Sequence, residues 1–122
     1  MVFVLISSGS RYPIDRKKIR QRIEEFLGKA GMEDVEVSVS VVGTRKIRSL
    51  NRDFRKIDEE TDVLSFPQEG QRDPDGILRL GDIVICYPVA RSQAAEEEKL
   101  VDEKIAELVE HSLRHLLGEH HE

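Results

Sequence analysis

The sequence predicts an α+β fold: a small mixed sheet of about four strands covered by helices, in the order βαβαββαα. Three observations point there. EVSVSVV (residues 36–42) alternates apolar and polar residues with period two, the signature of a half-buried strand. Residues 15–29 and 101–117 space their apolar side chains at helical intervals. The apolar runs DVLSF (62–66) and GDIVIC (81–86) follow one another with only a Pro-Gly loop, residues 68–76, between them. Two adjacent strands without an intervening helix break a simple βαβ alternation. At 122 residues the chain is expected to form one domain over residues 1–122, large enough to bury a core without disulfide or metal staples.

VFVLI (2–6) reads as a short apolar strand. After Tyr12-Pro13, a helix from Asp15 to Lys29 carries Ile19, Ile23, Phe26 and Leu27 on one face, and Gly28 and Gly31 are expected to close it. Gly43-Thr44 then opens a basic helix through Ile47, Leu50 and Phe54, with Thr44 as the expected N-cap. Tyr87-Pro88 begins a further helical segment, and Glu96-Glu97-Glu98 leads into the last helix, from about Val101 to Leu117. On that helix Val101, Ile105, Leu108, Val109 and Leu116 form a broad apolar face. His111 and His115 fall at its edge, beside the core, with Glu103, Glu107, Glu110 and Arg114 toward solvent. Ser112 lies mid-face, where packing is its expected role.

Composition narrows the function. Hydrophobic residues make up 39% and charged residues 35%, ordinary for a soluble globular protein. No apolar run reaches the eighteen or so residues of a membrane span, and the opening MVFVLISSGSRYP lacks a basic n-region, so no membrane partner is expected and the expected compartment is the cytoplasm. The single cysteine, Cys86, sits in an apolar run and reads as a small buried hydrophobe. The net charge of −5 hides a strong polarity. Residues 1–56 hold thirteen Lys or Arg against seven acids, while residues 57–122 hold six against seventeen. Arg11, Arg16, Lys17, Lys18, Arg20 and Arg22 form one basic cluster; Arg45, Lys46, Arg48, Arg52, Arg55 and Lys56 form another. Clustered cations of this kind suit a polyanion, and they also occur as solvated helix faces.

All four histidines lie in HSLRHLLGEHH, residues 111–121. The spacing H-x-x-x-H-x-x-G-x-x-H is that of a three-histidine zinc site, with Ser112 where a metalloprotease carries its glutamate base. His111 and His115, four apart on a helix, lie roughly 5–6 Å from each other and can share one ion. A third ligand needs the chain to turn back, and Gly118 is expected to supply the bend that brings His121 over the pair. His120 is the open alternative, as ligand, as a neighbour of the ligands, or facing solvent. Three imidazoles with an open fourth position describe a catalytic zinc site holding one ion per chain, although nickel, copper or iron suit the same nitrogens. Without the glutamate, peptide hydrolysis is a poor second.

LNRDFRKIDEETDVLSFP (50–67), LGDIVIC (80–86) and the histidine cluster together resemble the YbeY family. The frame L-N-x-x-[FY]-R-x-x-D-x-x-T-D-V-L-S-F-P is matched without gaps by Leu50, Asn51, Phe54, Arg55, Asp58 and Thr61 onward. The resemblance implies a zincin-like α+β fold, zinc on His111, His115 and His121, and cleavage of single-stranded RNA. It further implies ribosomal RNA and the small ribosomal subunit as partners, in maturation of the 3′ end of 16S ribosomal RNA and in ribosome quality control. Arg55 matches the arginine considered catalytic in the family, and an arginine fork suits a phosphoryl transition state. Arg55 and the metal ligand His111 are therefore the expected catalytic residues. Arg45, Lys46, Arg48, Arg52, Arg55 and Lys56 are expected to form one wall of an RNA groove with the zinc at its floor. Thr61, Asp62 and Ser65 are candidates to shape that groove, and Asp62 and Asp82 are alternative partners for a ligand imidazole. The chain departs from the family's H-G-x-L-H-L-x-G-Y-D-H at Ser112, Arg114, Glu119 and His120. The rival expectations are a ribosome-associated RNA-binding factor with a structural metal and a metal-dependent hydrolase of another substrate class.

Overall fold

The computed structural model describes residues 1–68 and 72–120. Its elements run β1 (Val2–Ser8), α1 (Arg16–Lys29), β2 (Val35–Val42), α2 (Thr44–Arg55), β3 (Val63–Pro67), β4 (Leu78–Cys86), α3 (Tyr87–Glu96) and α4 (Val101–His120), the order expected from the sequence. The four strands form one mixed sheet in the order β1-β2-β4-β3. β1 and β4 both run parallel to β2, while β3 runs antiparallel to β4 and leaves one side of itself unpaired among the described residues.

Alternation decides which face of the sheet each side chain meets. Val35, Val37, Val39 and Val41 of β2 are buried with Ile83 and Ile85 of β4. Against them pack Ile19, Ile23 and Leu27 of α1 and Ile105, Leu108, Val109, Leu113 and Leu116 of α4. The opposite face is thinner: Ile47 of α2 covers Leu64, Val84 and Cys86, with Leu50, Phe66 and Val89 partly buried around them. Burial pushes the Cys86 thiol above its ordinary range, in keeping with its reading as an apolar core residue.

One irregularity tailors the sheet. Between β2 and β4 the register shifts, so that Glu36 pairs with Arg79 and Val37 with Gly81, leaving Leu80 as an extra residue. Gly81 has φ of +145°, and a Cβ there would strike the Phe66 carbonyl, lie 2.9 Å from Pro67 Cα and 3.1 Å from Leu116 Cδ2. Only glycine admits both this backbone and this approach of β3 and α4.

The helix ends correct three expectations. α2 is capped by Gly43 with no side-chain cap, and Thr44 is its first helical residue. A Cβ on residue 43 would meet the Tyr12 hydroxyl, so a larger residue at the cap would need that tyrosine side chain to shift. In α1, Gly28 stays inside the helix, which ends through Ala30 before Gly31 turns left-handed at φ +73°. The Asp15 side chain caps the other end, accepting from Lys18 N at 3.0 Å. Finally, α4 does not bend at Gly118 but continues to His120. Buried Leu113 and Leu116, with Leu117 packed beside them, anchor these turns to the core. Glycine inside a helix costs only about 1 kcal/mol relative to alanine, too little to end a helix held this way.

Candidate active site at the open edge of the sheet

The end of α2 is built to turn the chain sharply. Lys56, just past the helix, is left-handed at φ +61°; its N–H donates to Arg52 O at 3.1 Å and the Ile57 N–H donates to Asn51 O at 3.3 Å. This paired closure leaves a lysine where glycine is usual, a cost of roughly 1–2 kcal/mol that the next turn must offset. Asn51 is buried, and its Nδ2 donates to Glu59 O at 3.0 Å. Arg48 adds a two-pronged ion pair to Asp58, at 2.9 and 3.3 Å. That hydrogen bond holds the Asp58 carboxyl below the usual carboxylate range. Pinned in this way, residues 56–60 deliver the chain into β3 and leave Arg55 as the last helical residue.

A cleft of about 580 Å³ follows β3 along its unpaired side, lined by Thr61, Asp62, Val63, Leu64, Ser65 and Phe66. From one side α4 contributes His111, Ser112 and His115; from the other, α2 contributes Phe54 and Arg55. The structure thus brings Arg55 to the same cleft as two of the histidines. Both imidazoles are exposed at its surface rather than sheltered beside the core. Their ring centres are 5.8 Å apart with the planes 27° from parallel. Two Zn–N bonds of about 2.0–2.1 Å at a tetrahedral angle would put ring centres roughly 5 Å apart, so the pair fits one ion after a small closing motion. Among the described residues no group of three or more His, Cys, Asp or Glu side chains could hold a metal. His121 lies outside the described residues.

Of the two aspartates, Asp62 is at the cleft. Gln93 Nε2 donates to its Oδ2 at 3.3 Å and Thr61 Oγ1 to its Oδ1 at 3.4 Å, while its carbonyl accepts from Cys86 N at 2.8 Å. Asp82 lines a different, apolar groove with Ser40, Leu50, Phe54, Phe66 and Val84, and it accepts a hydrogen bond from Ser38 Oγ. Ser112 is buried in the apolar face of α4, the packing position expected for it, with its Oγ lacking a hydrogen-bond partner.

The basic residues divide. Arg55 is at the histidine cleft, but Arg45, Arg48 and Arg52 line a separate depression with Thr44, Ser49, Asp58 and Glu60. Arg48 is committed to Asp58, Arg52 lies 3.4 Å from Asp53, and Lys56 Nζ donates to Asp53 O at 3.4 Å. Arg45 and Lys46 sit in the first turn of α2, one helix length from Arg55. The residue that sequence reasoning missed is Phe54. The sequence placed it on a basic helix with Ile47 and Leu50 and in the family frame but gave it no role, and it is 66% exposed on the rim of the cleft. Its place beside Arg55 in a basic helix was the available signal.

Residues 6–122 match the family described as Endoribonuclease YbeY. The chain belongs to that family. Curated relatives that carry the name Endoribonuclease YbeY include these two. The one from Anaeromyxobacter sp. (strain Fw109-5) is 40% identical over 117 residues, 93% of this chain and 60% of the relative. The one from Synechococcus sp. (strain JA-2-3B'a(2-13)) is 39% identical over 116 residues, 89% of this chain and 71% of the relative. This YbeY-family chain therefore spans part of its relatives' length, 60% in the first case. The solution structure of TM1509 from Thermotoga maritima is also similar, with a TM-score of 0.63 and 28% identity over 95% of this chain and 71% of that one. The mixed sheet and four helices agree with this likeness. No helix among the described residues is long and apolar enough to cross a membrane.

Proposed function

We propose that this protein is a metal-dependent endoribonuclease that cuts single-stranded RNA in the cytoplasm. Its proposed substrate is ribosomal RNA of the small subunit, in 3′-end maturation of 16S ribosomal RNA and in ribosome quality control. The observation that carries the reading is the convergence of His111, His115 and Arg55 on one cleft, from helices on opposite faces of the sheet. The family's description as an endoribonuclease supports the same chemistry.

His111 and His115 would hold one zinc ion, with His121, outside the described residues, as the proposed third ligand if the chain turns back beyond His120 rather than at Gly118; when bound, the ion would supply Lewis-acid chemistry. Arg55 donates to the non-bridging oxygens of the scissile phosphate, and its fork follows the charge as it grows in the transition state. Asp62, oriented by Gln93 and Thr61, fixes the polar floor of the cleft beside the histidines. The remaining cations of α2, led by Arg45 and Lys46, steer the strand toward the cleft, so that affinity falls steeply with added salt.

Arg55→Ala tests this reading. The variant should retain zinc and its melting temperature while losing about 10²–10³-fold in the cleavage rate of single-stranded RNA. Removing zinc from the unmutated protein with a chelator should abolish cleavage, and restoring it should recover the activity. Intact RNA with the zinc-loaded protein would overturn the proposal.

A further inference from the structure

Phe54 is a large apolar ring that the fold leaves 66% exposed, although burying it would favour stability. Three observations define its setting. It stands between two concavities, lining both the histidine cleft and the groove formed by Ser40, Leu50, Phe66, Asp82 and Val84. Its ring packs edge-to-face on Phe66, with centres 5.2 Å apart and planes at 66°, a contact that covers at most one face of either ring. And it is flanked in sequence by Arg52, Arg55 and Lys56, with Arg55 on the wall of the same cleft. An aromatic face held at a fixed angle and interleaved with cations suits one occupant well: a nucleobase whose own phosphates are met by the neighbouring charges.

We propose that Phe54 is a stacking platform for an unpaired base of the RNA strand, next to the nucleotide whose phosphate Arg55 engages. The inference rests on the endoribonuclease reading and adds a reason for strand selection. A base inside a duplex is already stacked on both faces and offers none to Phe54, whereas a base in a single strand can swing out onto the ring. Phe66, partly buried in the thin core, serves as the fixed backing. Selection for single strands then comes from the ring rather than from the phosphate contacts, which both kinds of RNA provide.

The test uses the full chain loaded with zinc and single-stranded RNA oligonucleotides. Steady-state cleavage is measured for Phe54→Ala, Phe54→Leu and Phe54→Trp. Each position of the RNA is replaced in turn by an abasic nucleotide, and 2-aminopurine fluorescence is followed in stopped flow before cleavage begins. Stacking of one base contributes about 1–3 kcal/mol, so Phe54→Ala should raise KM roughly 5- to 160-fold with little change in kcat. Phe54→Leu should remain impaired despite its apolar bulk, and Phe54→Trp should bind at least as well as the original protein. One abasic position should weaken binding to the original protein and cost nothing further in Phe54→Ala, and the 2-aminopurine quench at that position should vanish. An unchanged KM in Phe54→Ala and Phe54→Leu would overturn the platform, as would an abasic penalty that persists in full in Phe54→Ala. A role for Phe54 in holding a protein partner would give the same overturning result. Such a protein would still cut RNA, whereas failure of the endoribonuclease reading itself would leave RNA intact with the unmutated, zinc-loaded chain.

Discussion

The two faces of the sheet differ in what they spend their apolar residues on. Toward α1 and α4, buried side chains from three helices and two strands interlock into the main core. Toward α2, four buried residues suffice, and a phenylalanine, an arginine and two open concavities occupy the remainder. The contrast shows a division of labour. One face holds the sheet together, and because it does so the other can leave an aromatic ring and a guanidinium in solvent. The cleft forms where the two faces meet, at the β3 edge, so its histidines ride on the well-packed side and its arginine on the sparse one.

Substitutions can break or sharpen that comparison. The largest stability loss is expected for Leu113→Ala, fully buried in the α1/α4 face and between the two histidines only in sequence: about 3 kcal/mol in denaturant unfolding, from lost burial plus the cavity left behind. A loss under about 1 kcal/mol would mean that this face is no better packed than the other. Gly81→Ala should follow, at about 2 kcal/mol, since a methyl group there meets the backbone of β3 and the side chain of Leu116 with no free space. It should also shift β3, so cleavage should fall even under conditions where the variant stays folded. On the thin face the effects should be small. Arg48 holds the Asp58 carboxyl low, so this pair stabilises the fold above the ordinary carboxylate range and stops doing so as pH falls through the lowered value. Thermal melts of the original protein and Asp58→Asn should therefore differ slightly near neutral pH and converge in acid. A gap that widens with acidification would sink the assignment.

Much of the fold was legible because strand and helix patterns are local. The alternation of residues 36–42 and the helical spacing of Ile19, Ile23 and Leu27 each record which side of an element faces the core. The helix ends were less legible. Gly28 and Gly118 look like stops, yet each is overridden by leucines one or two residues away that pack into the core. The exposure of Phe54 was not legible for the related reason that periodicity marks a face of α2 without saying how far the sheet extends beneath it. The pairing of His111 with His115 was readable because four residues make nearly one helical turn. Their meeting with Arg55 was not, since that depends on two helices approaching one strand from opposite sides.

The sequence by itself determined the elements, their order, the histidine pair and the family, all of which depend on neighbours along the chain. Only the tertiary structure decided that Asp62 and not Asp82 reaches the histidine cleft, that Arg55 parts from Arg45, Arg48 and Arg52, and that Phe54 stays in solvent. The physical reason is that strand order and register set these placements. They are fixed by long-range pairing, by the bulge at Leu80 and by the close approach at Gly81, none of which a local pattern records.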